Sequence, residues 1–228
     1  MKTTVLACFM FVALILSELA SAATISRLQF RLNDNQTRAF TQSVFHSFWS
    51  DQYILQIYDR EQTIQETDTN ERFELYLGSG LPVQQWKSPL GIVARVQKWS
   101  SREALYSAGL MLNLNRIPLL SDSLKAVNAR TFFQLFAKTE RQQLGDAEIL
   151  HYYQFNEIFG SPISVRGYNI LHMRDQKYGD DLFQAFSDFI YPLHPHWDVY
   201  YRWSYVSEGF TQLGNKGHTS ALGVRFNF

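Results

Sequence analysis

Charged residues spaced two or four positions apart raise the first question about chemistry. Arg72 with Glu74, Arg130 with Gln134, and Asp198 with Arg202 each fall on one face of any extended segment that carries them. Arg95, Arg166, Asp188 and Arg225 stand in similar alternation with apolar neighbours. Catalysis is a poor use for this set. A nucleophilic mechanism needs a serine, a base within reach and a third group to orient that base. His172 with Asp175 close by, and His151, are the candidate bases, yet no serine has a recognisable motif around it. His194-Pro195-His196 puts two imidazoles on a tight turn without a nearby acid or cysteine, which makes a poor metal site. Cys8 is the only cysteine, so the chain beyond it has no disulfide or thiolate ligand. The residue types point away from an enzyme, and they call for no cofactor and no metal. They suit a polar surface facing an apolar one across a sheet.

The elements that would position such a surface are short amphipathic strands. About twelve segments of roughly ten residues can be marked, the length a tilted strand needs to cross a bilayer. They are 25–33, 38–49, 52–60, 71–78, 91–99, 103–114, 127–138, 148–158, 163–173, 181–191, 197–207 and 219–228. The last alternates most cleanly, with Leu222, Val224, Phe226 and Phe228 opposed to Ala221, Gly223, Arg225 and Asn227. Trp197, Val199, Tyr201, Trp203 and Tyr205 oppose Asp198, Tyr200, Arg202 and Ser204 in the same way. Segments 38–49 and 148–158 alternate less cleanly. Between segments, 61–70, 139–147, 174–180 and 208–218 read as long polar loops, and Gly160-Ser161-Pro162 as a tight turn. The connections 79–90 and 115–126 read as long on the side expected to have short turns. All six prolines fall in connections or at segment edges.

The two ends of the chain indicate a compartment. Lys2, the apolar run Val5 to Leu16 and the small residues ending at Ala22 have the form of a secretory signal peptide cut after Ala22. Cys8 lies inside that apolar run, which argues against lipidation. Residues 23–228 then form one barrel domain. Phe226 and Phe228 close an amphipathic final segment resembling the terminal strand that the barrel-assembly machinery reads as a signal. Aromatics make up 15% of the chain, and the apolar faces are heavy in Tyr, Trp and Phe, as interfacial girdles are. A soluble β-sandwich or soluble barrel would carry more Val, Ile and Leu on those faces. The net charge is zero, which argues against nucleic acid as a partner. The expectation is an all-β, antiparallel transmembrane barrel of about twelve strands in outer-membrane lipid, with both termini periplasmic.

If the apolar faces meet lipid, the polar faces line the interior. That assignment gives pore-lining Arg72, Glu74, Arg95, Arg130, Gln134, Arg166, Asp188, Asp198, Arg202 and Arg225. Arg27, Arg31, Lys138 and Gln29, Gln56, Gln97, Gln154 and Gln184 join them, as do Tyr76, Tyr168, Phe186 and Tyr200. The interior is either a narrow cationic pore for small polar solutes or a set of ion pairs that plugs the barrel.

Three stretches carry a family resemblance: Ser164-Val165-Arg166-Gly167-Tyr168, Asp181-Leu182-Phe183-Gln184-Ala185-Phe186-Ser187-Asp188 and Val199-Tyr200-Tyr201-Arg202-Trp203-Ser204-Tyr205. With the loop Gly214-Asn215-Lys216-Gly217 and the terminal aromatic strand, they resemble the nucleoside-specific channel family of outer-membrane proteins. The resemblance covers the chain from about Ala147 onward and implies a narrow twelve-stranded channel passing nucleosides. In length and arginine content the chain is also similar to the channels for oligogalacturonate and sialic acid, without their repeated Tyr-Arg-Pro pattern. A barrel that conducts nothing and acts through its loops as a receptor, adhesin or assembly partner is the third reading.

Overall fold

Backbone pairing organises the whole molecule. The computed structural model describes residues 23–34, 36–48, 52–64, 69–83, 86–100, 103–140, 143–173, 182–207 and 217–228. The strands are β1 (Ala23–Asn33), β2 (Thr37–Phe48), β3 (Gln52–Thr63), β4 (Thr69–Val83), β5 (Trp86–Trp99) and β6 (Leu105–Asn113). They continue with β7 (Ala129–Glu140), β8 (Gln143–Phe155), β9 (Ser164–Met173), β10 (Leu182–His194), β11 (Trp197–Val206) and β12 (Gly217–Asn227). Each pairs antiparallel with its sequence neighbours, and β1 pairs with β12 to close the barrel. The seam runs from Arg27 opposite Asn227 to Asn33 opposite Ala221. At its foot the Ser26 N–H donates to the Phe228 carbonyl at 3.1 Å and the Phe228 N–H to the Ser26 carbonyl at 2.9 Å. Both ends of the described chain therefore lie at one end of the barrel. The signal-peptide segment, residues 1–22, lies outside the described residues.

All twelve expected segments are strands, and three connections differ from their sequence reading; one is 139–147, expected as a long polar loop, where β7 continues to Glu140 and β8 begins at Gln143. The segment 79–90 is not a long loop, because β4 continues to Val83 and β5 begins at Trp86. Its prolines hid this. Proline lacks the N–H a ladder needs, so it enters a strand where pairing is locally shifted. The β4–β5 register does shift between Gly80 and Pro82, and that of β10–β11 shifts between Pro192 and His194. The segment 115–126 is helical: a short 3-10 turn, Leu114–Arg116, leads into α1 (Pro118–Ala126). Pro118 suits a first helical turn, where its missing N–H costs nothing. Asn128, at φ 48°, turns the chain out of the helix. Asn115 ties this excursion to β7, donating to the Ala129 carbonyl at 2.6 Å and accepting from the Thr131 N–H at 2.8 Å.

Burial is inverted relative to a soluble protein. Arg95, Glu148 and Asp188 are among the most deeply buried side chains, whereas Leu222 (69%), Leu32 (62%) and Ile92 (52%) are exposed on the outer wall. Water would penalise such an exterior, and only a hydrocarbon surround makes it favourable.

Sheet closeness is set at particular glycines. A Cβ on Gly109 would overlap the Leu135 backbone carbonyl of the adjacent strand. On the outer wall Tyr153 lies across Gly167, with its hydroxyl 2.5 Å from Ser187 Oγ. Gly109→Val is expected to destabilise the barrel by about 1–3 kcal/mol through overpacking. Urea unfolding followed by heat-shifted gel mobility measures it, and an unchanged midpoint would show that the β6–β7 spacing is not tight.

Candidate functional site in the barrel lumen

The barrel encloses a cavity of about 1890 Å³. Its wall reaches from Ile25, Gln52 and Arg116 at the end holding the termini to Trp99, Glu103 and Val206 at the other. Arg72, Glu74, Arg95, Arg130, Gln134, Arg166, Asp188 and Arg202 all lie on this wall, with Arg27, Gln29, Arg31, Gln97, Gln154 and Gln184. Asp198 and Arg225 are paired with each other in the same inward row as Gln29. Phe226 and Phe228 are exposed on the outside. The side chain of Lys138 and residue Asp175 lie outside the described residues.

Five carboxylates organise the inner charges. Glu148 spans the interior from β8 to Arg95 on β5, Oε1 to Nη1 at 2.5 Å, and holds His172 Nδ1 at 3.0 Å. The Arg95 guanidinium lies 4.2 Å from the ring centroid of Phe136. Asp188 accepts two bonds from Arg202, at 2.6 and 2.8 Å, with Arg166 at 3.6 Å. Glu74 accepts from Gln97 at 2.6 Å and from the Tyr76 hydroxyl at 3.1 Å, with Arg72 at 3.8 Å. Asp59 accepts from Thr41 at 2.6 Å and lies 3.6 Å from both Arg31 and Arg72. Asp198 accepts from Arg225 at 2.6 Å and from Asn227 at 2.9 Å.

The interior is less cationic than the sequence reading implies. Asp59, Glu61, Glu103 and Glu148 join Glu74 and Asp188 on the wall, so eight arginines meet six acids there. Apolarity alone does not separate the inner face from the outer one. On β3 the rule inverts: Tyr53, Leu55 and Ile57 point inward, carrying Asp59 with them. Gln56 is consequently on the outer face, in register with Val44 and Leu75, and does not line the lumen. The inward apolar residues pack on Tyr76, Val93, Phe136 and Leu150 in a cluster that fills part of the interior. Tyr53 reaches across to accept from Gln134 at 2.9 Å.

The histidines also fall differently from their sequence reading. His172 faces the lumen and its Glu148 carboxylate, while His151 stacks on Phe133 with centroids 4.3 Å apart. His194 and His196 are exposed on the β10–β11 turn with rings 5.6 Å apart, and no group of three potential metal ligands occurs among the described residues.

A closed antiparallel barrel with a charged interior and an apolar exterior is the architecture of an outer-membrane porin. No protein-family model and no curated protein matches the chain. Solved structures do. The KdgM porin aligns with a TM-score of 0.57 at 10% identity, over 90% of this chain and 99% of its own. The NanC porin gives 0.58 at 10% identity over the same shares. The outer membrane protein Omp33 of Acinetobacter baumannii gives 0.53 at 10%, over 90% and 97%. A further KdgM structure is a complex with disordered oligogalacturonate. At these identities the likeness is one of fold, and the chain has the fold of an outer-membrane β-barrel.

Asp188→Ala leaves Arg202 and Arg166 without their shared carboxylate. Loss of one partner from a buried pair costs about 3–5 kcal/mol. Denaturant unfolding of the variant in detergent is expected to show that loss. A change below about 1 kcal/mol would mean lumen water solvates the arginines as well as Asp188 does.

Proposed function

We propose that this chain is an outer-membrane channel for the passive diffusion of small polar solutes. One observation carries the reading: a cavity with charged and polar groups set among apolar ones, whose lining extends from one end of the barrel to the other. The ion pairs stand along that wall, held chiefly by residues of the barrel itself, so a solute meets donors and acceptors already positioned. The excess of arginines over acids on the wall favours anions over cations. Acidic sugars suit that charge, and the KdgM complex with oligogalacturonate supports this class for the shared fold. Nucleosides remain the neutral alternative that the C-terminal resemblance favours. The pore-lining set is Arg72, Glu74, Arg95, Arg130, Gln134, Arg166, Asp188 and Arg202, with the Asp198–Arg225 pair on the same inward face.

Export through a signal peptide cut near Ala22, and insertion by the barrel-assembly machinery reading Phe226 and Phe228, belong to the same proposal. Deletion of Phe228 is expected to lower the amount of heat-modifiable barrel in the outer-membrane fraction while synthesis continues.

Liposome swelling with the refolded mature protein tests the channel. A uronate, a nucleoside and a neutral sugar of similar size are compared. Entry of the uronate ahead of the neutral solutes is expected from the charge excess. No flux of any solute through folded protein would overturn the channel and leave a receptor or adhesin role.

A further inference from the structure

Register places four aromatic residues side by side on the lumen wall. Phe132, Tyr152, Tyr168 and Phe186 are direct cross-strand partners across β7, β8, β9 and β10. All four line the cavity, and each is partly exposed to it. Phe132 stacks on Tyr152 at 4.8 Å and 20°, and Tyr168 meets Phe186 edge-on at 3.7 Å.

Two residues along the same strands, about 7 Å at strand rise, a second row runs parallel: Arg130, Gln154, Arg166 and Asp188. Arg202 continues it and lies 4.2 Å over the Phe186 ring. The single acid in this row has both oxygens taken by Arg202. Arg166 stands 3.6 Å from the same carboxylate. Arg130 is exposed at the cavity wall and has no acid partner among the described residues.

We infer that these two rows form a binding track for solutes in which a flat aromatic ring carries a nearby anionic group. The rings offer π-faces and edges to the aromatic part. The arginines offer planar donors to a carboxylate or phosphate. The inference rests on the channel reading and narrows its substrate class. A sugar acid supplies the anion without the ring, and a nucleoside the ring without the anion. Aromatic carboxylates and nucleoside monophosphates supply both.

Binding and conduction are measured separately on the same refolded protein. Calorimetry in detergent compares benzoate and adenosine monophosphate with galacturonate and adenosine. Planar-bilayer recording in potassium chloride reads the open channel and its block by each solute. Benzoate, adenosine monophosphate or both are expected to bind about tenfold more tightly than galacturonate and adenosine, the worth of one stacking contact. Which of the two binds distinguishes a carboxylate track from a phosphate track. Arg130→Gln, at an exposed position away from the buried ion pairs, is expected to weaken the anionic ligands without altering heat-shifted mobility. Tyr152→Leu, checked for folding in the same way, is expected to remove the advantage over galacturonate. Equal binding of all four solutes, or none, overturns the track whatever the conductance. Tight binding without conductance upholds the track and overturns the channel.

Discussion

A backbone crossing hydrocarbon has no water to satisfy its N–H and C=O groups, so every one must be paired within the protein. In this chain that constraint is met at the β1–β12 seam, where the final strand returns to the first and leaves no edge. Closure makes an inside and an outside, and the period of two along each strand then distributes side chains between them. Arg95, Glu148 and Asp188 are buried because the lumen is the one place where a charge can stand without facing lipid. The polar interior is thus a consequence of closure before it is a device for transport. Function has to be argued from what the ion pairs leave unused.

Strand number and the facing of the last two strands were legible because both follow from local alternation. Trp197 to Tyr205 and Leu222 to Phe228 alternate without exception, and their inner residues are those the period assigns. The rest of the site depends on where the strands lie relative to one another. Glu148 meets Arg95 only because register carries β8 and β5 to the same depth with two strands between them, and nothing near Glu148 in sequence announces that partner. Gln56 failed for a related reason. Polarity points it inward, whereas Tyr53, Leu55 and Ile57 turn apolar surface inward onto the Tyr76–Phe136 cluster. Prolines 82 and 89 similarly masked strand continuation, since a register shift is a property of two strands and not of one.

That inward cluster changes what the barrel is. An interior lined by charge alone would be a water-filled tube. Here β3 to β9 set an aromatic and aliphatic cluster among their charges, while the strands around the seam carry Arg27, Gln29, Arg31 and Thr41. Apolar packing inside a barrel narrows it and stiffens the arginines that lie on the rings, as Arg95 does on Phe136. A guanidinium held on a ring face keeps its edge free for a carboxylate. Cation–π contacts and ion pairs therefore act together here to fix side chains that water alone would leave mobile.

Charge pairing decides what the lumen can still offer a solute. Arg202 is committed twice over, to both oxygens of Asp188 and to the Phe186 ring. Arg95 is committed to Glu148. Such residues set shape and local field, but a passing anion would have to compete with a carboxylate already in place. Arg130 faces no such competitor among the described residues, and Arg166 shares its acid with Arg202, which holds that acid more closely. Counting arginines consequently overstates the positive character of the pore. The cations that matter for selectivity are the few whose acids are absent or occupied, and register sets them beside the aromatic row.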